Sequence, residues 1–518
     1  MNDWSGGYMT QTEYTHGVYA MTAPLSIAYS AQNARHRVSP GAPIRYLELG
    51  FGQGLGLNVH AAANPGVFWG NDFNPAHVAG ARRLQQTSGA DLTLLEDSFE
   101  DLAERDDLPR FDMIALHGIF SWINAANQHA IVRILRRALR PGGLVYISYN
   151  TQPGWAPMVP VRGLMEAHYR LEQPESAPVT EGVAAAADFM DRLARTGMGH
   201  FRNAPRLAEQ VRALMAKDRS YLAHEFFNRN WHAFHFHDLA EQMSAAKLDF
   251  LIGARPGEEQ PTFQLPKGGM DLVDSVRDPW LKESVKDFLS GQQFRADLFV
   301  RGAEKCSALE QRTALGGWHF VLVREVEAIG KTLTVGRYTV KPNAALYEGL
   351  LAFLADDRYR PKPFDDLLAW GERKGLSASG LIRLLNQMRA GGVLMPARGL
   401  DEAAPLVARC RALNRAGLDS ALPAGRKVNL ASPVLGTARS TKAVDGLFLR
   451  VLLDGPVRRS DLLDRAVAHA GKLGLRLKSR QGGAAQSPAE MRAALADKLP
   501  DFLNKRLALH QALLIAPR

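Results

Sequence analysis

Between residues 41 and 150 the chain alternates short apolar runs with stretches whose apolar positions recur every three or four residues. RYLELG (45–50), VFWGNDF (67–73), LTLLED (92–97), FDMIALHG (111–118) and LVYISYN (144–150) have the length and aromatic or branched content of strands. GLNVHAAAN (56–64), PAHVAGARRLQQTSG (75–89) and NQHAIVRILRRALRPGG (127–143) carry helical spacing, the last ending in basic residues and a glycine stop. Regular strand–helix alternation predicts an α/β fold, with a parallel sheet covered by helices on both faces.

The pattern changes further along. VRGLMEAHYRL, VAAAADFMDRLAR and RLAEQVRALMA read as helices, and HDLAEQMSAAKLDFLIGA (237–254) as one more helix and strand that close the sheet. The stretch after it is mixed, with HFVLVREV (319–326) as a strand. From about residue 340, LYEGLLAFLADD, PFDDLLAWGERKG and SASGLIRLLNQMRAGGVLMPAR give helix, helix, helix and a short strand, the order of a winged helix. AVDGLFLRVLLDG and MRAALADKLPDFLNKRLAL add two helices, and the arginine- and glycine-rich segment 471–485 between them reads as a mobile loop. The expected division is an N-terminal helical arm (1–40, with PLSIAYSAQNARH), an α/β domain (41–255), a mixed, regulatory region (256–335) and a helical, winged-helix-like C-terminal domain (336–518).

Composition narrows the class. The 518 residues contain no apolar run long enough for a membrane span, and the start lacks the basic and apolar regions of a signal peptide. Cys306 and Cys410 cannot form a disulfide framework and neither sits in a CxxC pair, so a cytoplasmic protein is expected. The net charge of +10 is uneven: residues 331–518 hold 31 Lys and Arg against 16 Asp and Glu, while residues 1–330 are mildly acidic. That basic third is either a solvated arginine-rich surface or a face for an anionic partner such as nucleic acid.

The candidate chemistry sits in YLELGFGQGLGLN (46–58). Its glycines, Gly50, Gly52, Gly54 and Gly56, do not fall in the G-x-G-x-x-G register of a dinucleotide site, and no Lys-Ser/Thr follows to make a P-loop. Glu48 precedes them in the order acid-x-G-x-G-x-G, an arrangement typical of class I enzymes that use S-adenosylmethionine (SAM). SAM offers no phosphate to cradle but carries an ammonium and a sulfonium, which an acid beside the turn can hold. Asp72 ends the second strand, where it suits ribose hydroxyls. Asp97-Ser98-Phe99 follows the third, where Asp97 can accept from the adenine amino group and Phe99 can pack on the ring.

ELGFGQG…N, NDFNP, LHGIFSW, YISYNTQPGW and YLAHEFFNRNW, in this order, resemble bacterial methyltransferases that carry a methyltransferase regulatory domain, among them rickettsial-type lysine methyltransferases of outer-membrane proteins. The resemblance spans about residues 10–330, with weaker motifs beyond. It implies a Rossmann-like class I methyltransferase fold, SAM as methyl donor, and Asn58 as a further residue of the cofactor loop. The fourth strand lacks the Pro-Pro turn of base and glutamine methylases. Phe120, Trp122, Tyr149 and Trp155 instead suggest an aromatic wall for a lysine nitrogen. A lysine must lose its proton before transfer, and His117 and Tyr149 are candidate bases, with Asn150 as an orienting partner and His117 also a cofactor contact.

The histidines of WHAFHFH (231–237), with His224-Glu225 nearby, suggest a metal at first sight. Methyl transfer from SAM needs none, so no metal is expected and capping or aromatic packing is the preferred role. Tyr14, His16 and Tyr19 belong to a lead-in segment that could fold over the cofactor. The expected function is methyl transfer to a protein side chain, with a small-molecule or saccharide methyltransferase and a SAM-sensing nucleic-acid-binding regulator as alternatives. The acceptor and self-association as a homodimer stay open at this level.

Overall fold

The computed structural model describes residues 17–39, 41–174, 178–258, 265, 267–336, 338–475 and 488–517. Tyr14, His16 and most of the segment 471–485 therefore lie outside the described residues. The first half follows the expected alternation: α1 (Pro24–Asn33), β1 (Ile44–Leu49), α2 (Leu55–Ala63), β2 (Gly66–Asn71), α3 (Pro75–Ser88), β3 (Leu92–Leu95), α4 (Phe99–Glu104), β4 (Phe111–Leu116), α5 (Ala125–Ala138) and β5 (Leu139–Thr151). Local chemistry sets these bounds. Asn74 caps α3 by accepting from the Ala76 N–H, Pro75 takes the first helical position, and Gly89 ends the helix at φ +62°.

One boundary differs from expectation. The helix predicted over 127–143 ends at Ala138, and the Pro-Gly-Gly turn lies inside a long β5. There the pairing of β4 with β5 shifts from Phe111–Leu139 to Met113–Leu144. The Gly142 N–H donates to the Arg301 carbonyl and the Arg301 N–H to that of Gly143, so a neighbouring strand end holds the turn.

Four helices follow, α6 (Val159–Glu172), α7 (Val179–Arg195), α8 (Pro205–Met215) and α9 (Arg219–Phe226), packed around their own core of Met165, Val183, Met190 and Phe226. Then come β6 (Ala233–Phe234), α10 (Phe236–Ser244), β7 (Asp249–Gly253), α11 (Lys267–Ser275), α12 (Pro279–Ser290), β8 (Phe294–Val300), α13 (Ala308–Leu315) and β9 (His319–Leu322). The main sheet runs β3-β2-β1-β4-β5-β8-β7, with β6 beside β5. Strands β1 to β6 pair in parallel, while β8 lies antiparallel between β5 and β7. β8 comes from the stretch that the sequence left as mixed.

The remaining elements are β10 (Leu333–Val335), β11 (Tyr338–Val340), α14 (Ala344–Tyr359), β12 (Lys362–Pro363), α15 (Phe364–Arg373), α16 (Ala378–Ala390), β13 (Leu394–Ala397), α17 (Leu400–Ala403), α18 (Val407–Ala421), β14 (Val428–Ser432), β15 (Thr437–Thr441), α19 (Ala443–Leu453), α20 (Arg459–Lys472), α21 (Pro488–Asp501) and α22 (Leu507–Ala512). The helix, helix, helix, strand order is present, and the small sheet β12-β9-β13 takes its middle strand from upstream. This region packs on α2, the helix that follows the glycine turn. Cys410 joins Val59, Ala62 and Ala63 in one apolar cluster. Buried Arg398 donates to the Ala63 carbonyl (3.0 Å) and to Asn64 Oδ1 (2.5 Å). Part of the C-terminal positive charge is thus structural: Arg389, Arg398, Arg439 and Arg450 are bonded to Ser30, backbone carbonyls, Glu325 and Asp419. Among the described residues no helix is long and apolar enough to cross a membrane.

Candidate active site

Strand order reverses between β1 and β4, and the carboxyl ends of the strands there border a cavity of about 290 Å³. Open parallel sheets place ligands in such a crevice. The glycine turn forms one wall. Gly50, Gly52 and Gly54 all have φ between +60° and +71°. A methyl carbon at Gly50 would lie 2.4 Å from Ile119 Cδ1, and one at Gly54 would lie 2.5 Å from Ala81 Cβ. Glycine is needed at both for conformation and for space.

Three acids border the cavity at the ends of successive strands. Glu48 on β1 is buried, 3.5 Å from the Tyr46 hydroxyl, which itself donates to the Thr22 carbonyl. Among the described residues no cation lies within salt-bridge distance of Glu48, and burial pushes its carboxyl up to about 8. Asp72, just past β2, accepts from the Gly52 N–H (2.8 Å) and the Asn74 N–H (3.0 Å) and meets His77 Nδ1 at 3.1 Å. It therefore fixes the turn as well as facing the cavity. Asp97 also faces the cavity, with one carboxylate oxygen taken by Arg105 at 3.0 Å. Ser98 caps α4 by accepting from the Asp101 N–H, and Phe99 follows it along the cavity edge.

His117 closes the far wall. Its Nδ1 lies 2.9 Å from the Tyr146 hydroxyl and 3.1 Å from Ser148 Oγ, and the Tyr19 ring covers it with centroids 3.9 Å apart. Burial, helped by the nearby Arg255 charge, lowers its pKa to about 4. The imidazole is neutral at ordinary pH and too weak a base for an ammonium. Gly17, Tyr19 and Thr22 line the opening, so the described end of the N-terminal arm does reach the cavity.

Trp122 lines the cavity, but the other residues assigned around it are distributed differently. Asn58 is fully buried within α2 and donates to the Gly54 and Ala81 carbonyls, so it braces the turn from behind. Tyr149 is also fully buried, on the sheet face it shares with Val145 and Ile147. Its hydroxyl donates to Asp297 at 2.6 Å and its pKa is raised well above 10, chiefly by burial. Alternation along β5 explains the misreading: Tyr146, Ser148 and Asn150 share one face, and Tyr149 takes the other. Phe120 packs with Tyr149 around Phe234, so the four-ring wall is not assembled. Asn150 and Trp155 sit outside the cavity lining, in a neighbouring cluster with Glu225 and Trp231.

The histidine cluster is also corrected. β6 ends at Phe234, and His235 is the residue before α10 rather than part of a strand. The His235 and His237 rings stack at 5.4 Å, and His237 meets Ser284 Oγ at 3.1 Å. Among the described residues, no group of three potential ligands is placed to hold a metal.

Comparisons with known proteins agree with this geometry. Residues 47–143 match a family model described as a methyltransferase domain, and residues 218–301 one described as a predicted methyltransferase regulatory domain. An uncharacterized protein of Synechocystis is 33% identical over 450 residues, covering 86% of this chain and 87% of its own. An uncharacterized protein of Rickettsia prowazekii is 24% identical over 292 residues, which cover 56% of this chain and 51% of that protein. The structure of PKMT2 from Rickettsia typhi in complex with AdoHcy superimposes with a TM-score of 0.70 at 16% identity, covering 97% of this chain and all of that one. At that identity the likeness establishes the shared fold.

Proposed function

Because this chain belongs to the class I SAM-dependent methyltransferases that carry a methyltransferase regulatory domain, we propose that it methylates a protein side chain, at a lysine nitrogen. The observation that carries the cofactor half of this reading is Glu48: a buried carboxyl group with no cationic partner among the described residues, beside a glycine turn braced by a second acid. A ligand bringing an ammonium fits that deficit, while a phosphate would meet repulsion. When bound, SAM supplies an activated methyl group on a sulfonium. Glu48 would hold its ammonium, Asp72 its ribose, and Asp97 with Phe99 its adenine. Tyr19 and Trp122 exclude water on the side where an acceptor enters.

Glu48 yields a measurable consequence. Its raised pKa means that the folded state prefers the protonated acid, so this group costs stability as pH rises from the ordinary carboxylate range through about 8. An ammonium beside it favours the ionised form. SAM binding at pH 7 is therefore expected to release close to one proton, seen as a binding enthalpy that varies with the ionisation enthalpy of the buffer. Glu48→Gln should remove that dependence, and a wild-type enthalpy independent of buffer would contradict the assignment.

The acceptor reading rests on the resemblance to lysine methyltransferases and on the half-buried indoles of Trp155 and Trp231 beside the site, surfaces suited to an alkylammonium. It is tested by incubating the protein with methyl-labelled SAM and a fractionated bacterial lysate, then hydrolysing the labelled protein. Label recovered as methyl-lysine supports the proposal; label in nucleic acid or small molecules alone would refute it.

A further inference from the structure

Both candidate bases fail on geometry or acidity. His117 is depressed to about 4, and Tyr149 is buried against Asp297. Yet an amine acceptor arrives as an ammonium. A third group stands at the right end of the sheet. Glu225, near the end of α9, lies beside the Asn150 side-chain amide, which favours its ionised form without completing a hydrogen bond of full geometry.

Asn150 ties this carboxylate to the cavity. It is two residues past Ser148, whose Oγ accepts from the cavity-lining Gly118 N–H at 2.8 Å. The Asn150 N–H donates to Ser121 Oγ at 2.8 Å, and the Ser121 carbonyl accepts from the His232 N–H at 2.8 Å. Trp122 and Ile123, the next two residues, line the cavity. Glu225 is therefore linked to the cavity wall through Asn150 and Ser121, on the side where β4 and β5 end.

The surroundings suit a lysine on a peptide. Trp155 and Trp231 meet edge to face at 5.3 Å, and the indole N–H of each is buried with no acceptor among the described residues. Those donors match peptide carbonyls flanking a lysine. The charged groups nearby are otherwise engaged. Arg162 of α6 lies over the Trp231 ring and bonds Glu166 and the Asn228 carbonyl, and Asp188 of α7 takes Arg219. Lys217, at the foot of α9, and Tyr221, one turn back, also interact with Glu225, and His232 sits near Arg162 with its pKa lowered chiefly by burial. For Glu225 burial is the largest influence, with Asn150 and then Lys217 acting against it.

We propose that Glu225 is the catalytic base that deprotonates the acceptor lysine, with Asn150 positioning it and Trp155 and Trp231 receiving the flanking peptide. This rests on the lysine reading above. One N–H bond of the ammonium breaks and an O–H bond forms on Glu225. The freed lone pair then bonds to the methyl carbon while the carbon–sulfur electron pair stays on sulfur, and Glu225 passes its proton to solvent. Burial raises the Glu225 carboxyl to about 7, matched to this task near neutral pH. The base would come from the segment that matches the regulatory family, which makes that segment part of the active site.

The test compares full-length wild type, Glu225→Gln and Glu225→Asp. Calorimetry with SAM should give the same affinity for all three, which separates this effect from misfolding. Lysine labelling in the lysate protein fraction is then followed from pH 6 to 10. Wild-type labelling should fall below about pH 7. Glu225→Gln should be at least about 100-fold slower at neutral pH, recovering as the amine deprotonates unaided, with Glu225→Asp between them. Glu225→Gln labelling lysine at the wild-type rate and pH profile would overturn the proposal while leaving the lysine reading intact. If wild type labels no lysine, that reading fails and this proposal with it.

Discussion

Replacing Asp72 with alanine is expected to weaken SAM binding by about 100-fold, as read by equilibrium dialysis with labelled SAM. Two losses combine. The carboxylate holds the Gly52 N–H at 2.8 Å and so sets the glycine turn, and the same group faces the cavity where a ribose would sit. Hydrogen bonds to a charged acceptor contribute about 1.5–3 kcal/mol each, and losing about 3 kcal/mol of binding corresponds to about a 100-fold change in Kd. Asp72→Asn keeps the shape and one acceptor oxygen, and should lose about 10-fold. An alanine variant that binds as wild type would remove Asp72 from the site.

The second large effect lies outside the cavity. Arg295 on β8 is buried and bonds both oxygens of Asp297 (2.8 and 2.9 Å), Asp287 at 2.8 Å and Glu283 at 3.1 Å. Tyr149 completes the cluster through Asp297, joining β5, β8 and α12. Arg295→Met would strand two carboxylates away from water and should cost about 3–5 kcal/mol, measured as a fall in the urea midpoint. Tyr149→Phe removes one hydrogen bond and should cost about 1–2 kcal/mol. Asp287 already has its pKa raised to about 7, mainly by burial. Its folded state thus prefers the proton, and ionisation costs stability as pH rises from its ordinary range through about 7. The Arg295→Met deficit should therefore shrink towards pH 5. A deficit of less than about 0.5 kcal/mol at pH 8 would show that the carboxylates are satisfied without the guanidinium.

The sequence was most readable where local chemistry decides structure. The order β1 to β5 follows from apolar spacing, and Gly50 to Gly54 with Glu48, Asp72 and Asp97 are adjacent to strand ends, so parallel pairing alone brings them together. Reading failed where tertiary facing decides. Tyr149 and Asn150 are neighbours in sequence but face opposite sides of β5, and no spacing rule says which side meets the cavity. Asn58 has a side chain suited to a ligand, yet it is spent on two buried carbonyls. β8 was missed because its apolar run is broken by Arg295 and Asp297, whose burial depends on partners from α12. Glu225 was noticed only as part of a histidine cluster. Its neighbour Asn150 is 75 positions away, a contact that only the folded chain supplies.

Titrating the full-length protein with SAM and with its demethylated product by isothermal calorimetry tests the central claim most directly. One equivalent of each should bind per chain, with SAM binding at pH 7 accompanied by the proton release that Glu48→Gln abolishes. If neither molecule binds the wild-type protein, the three-acid cavity is not a SAM site and the account built on it is wrong.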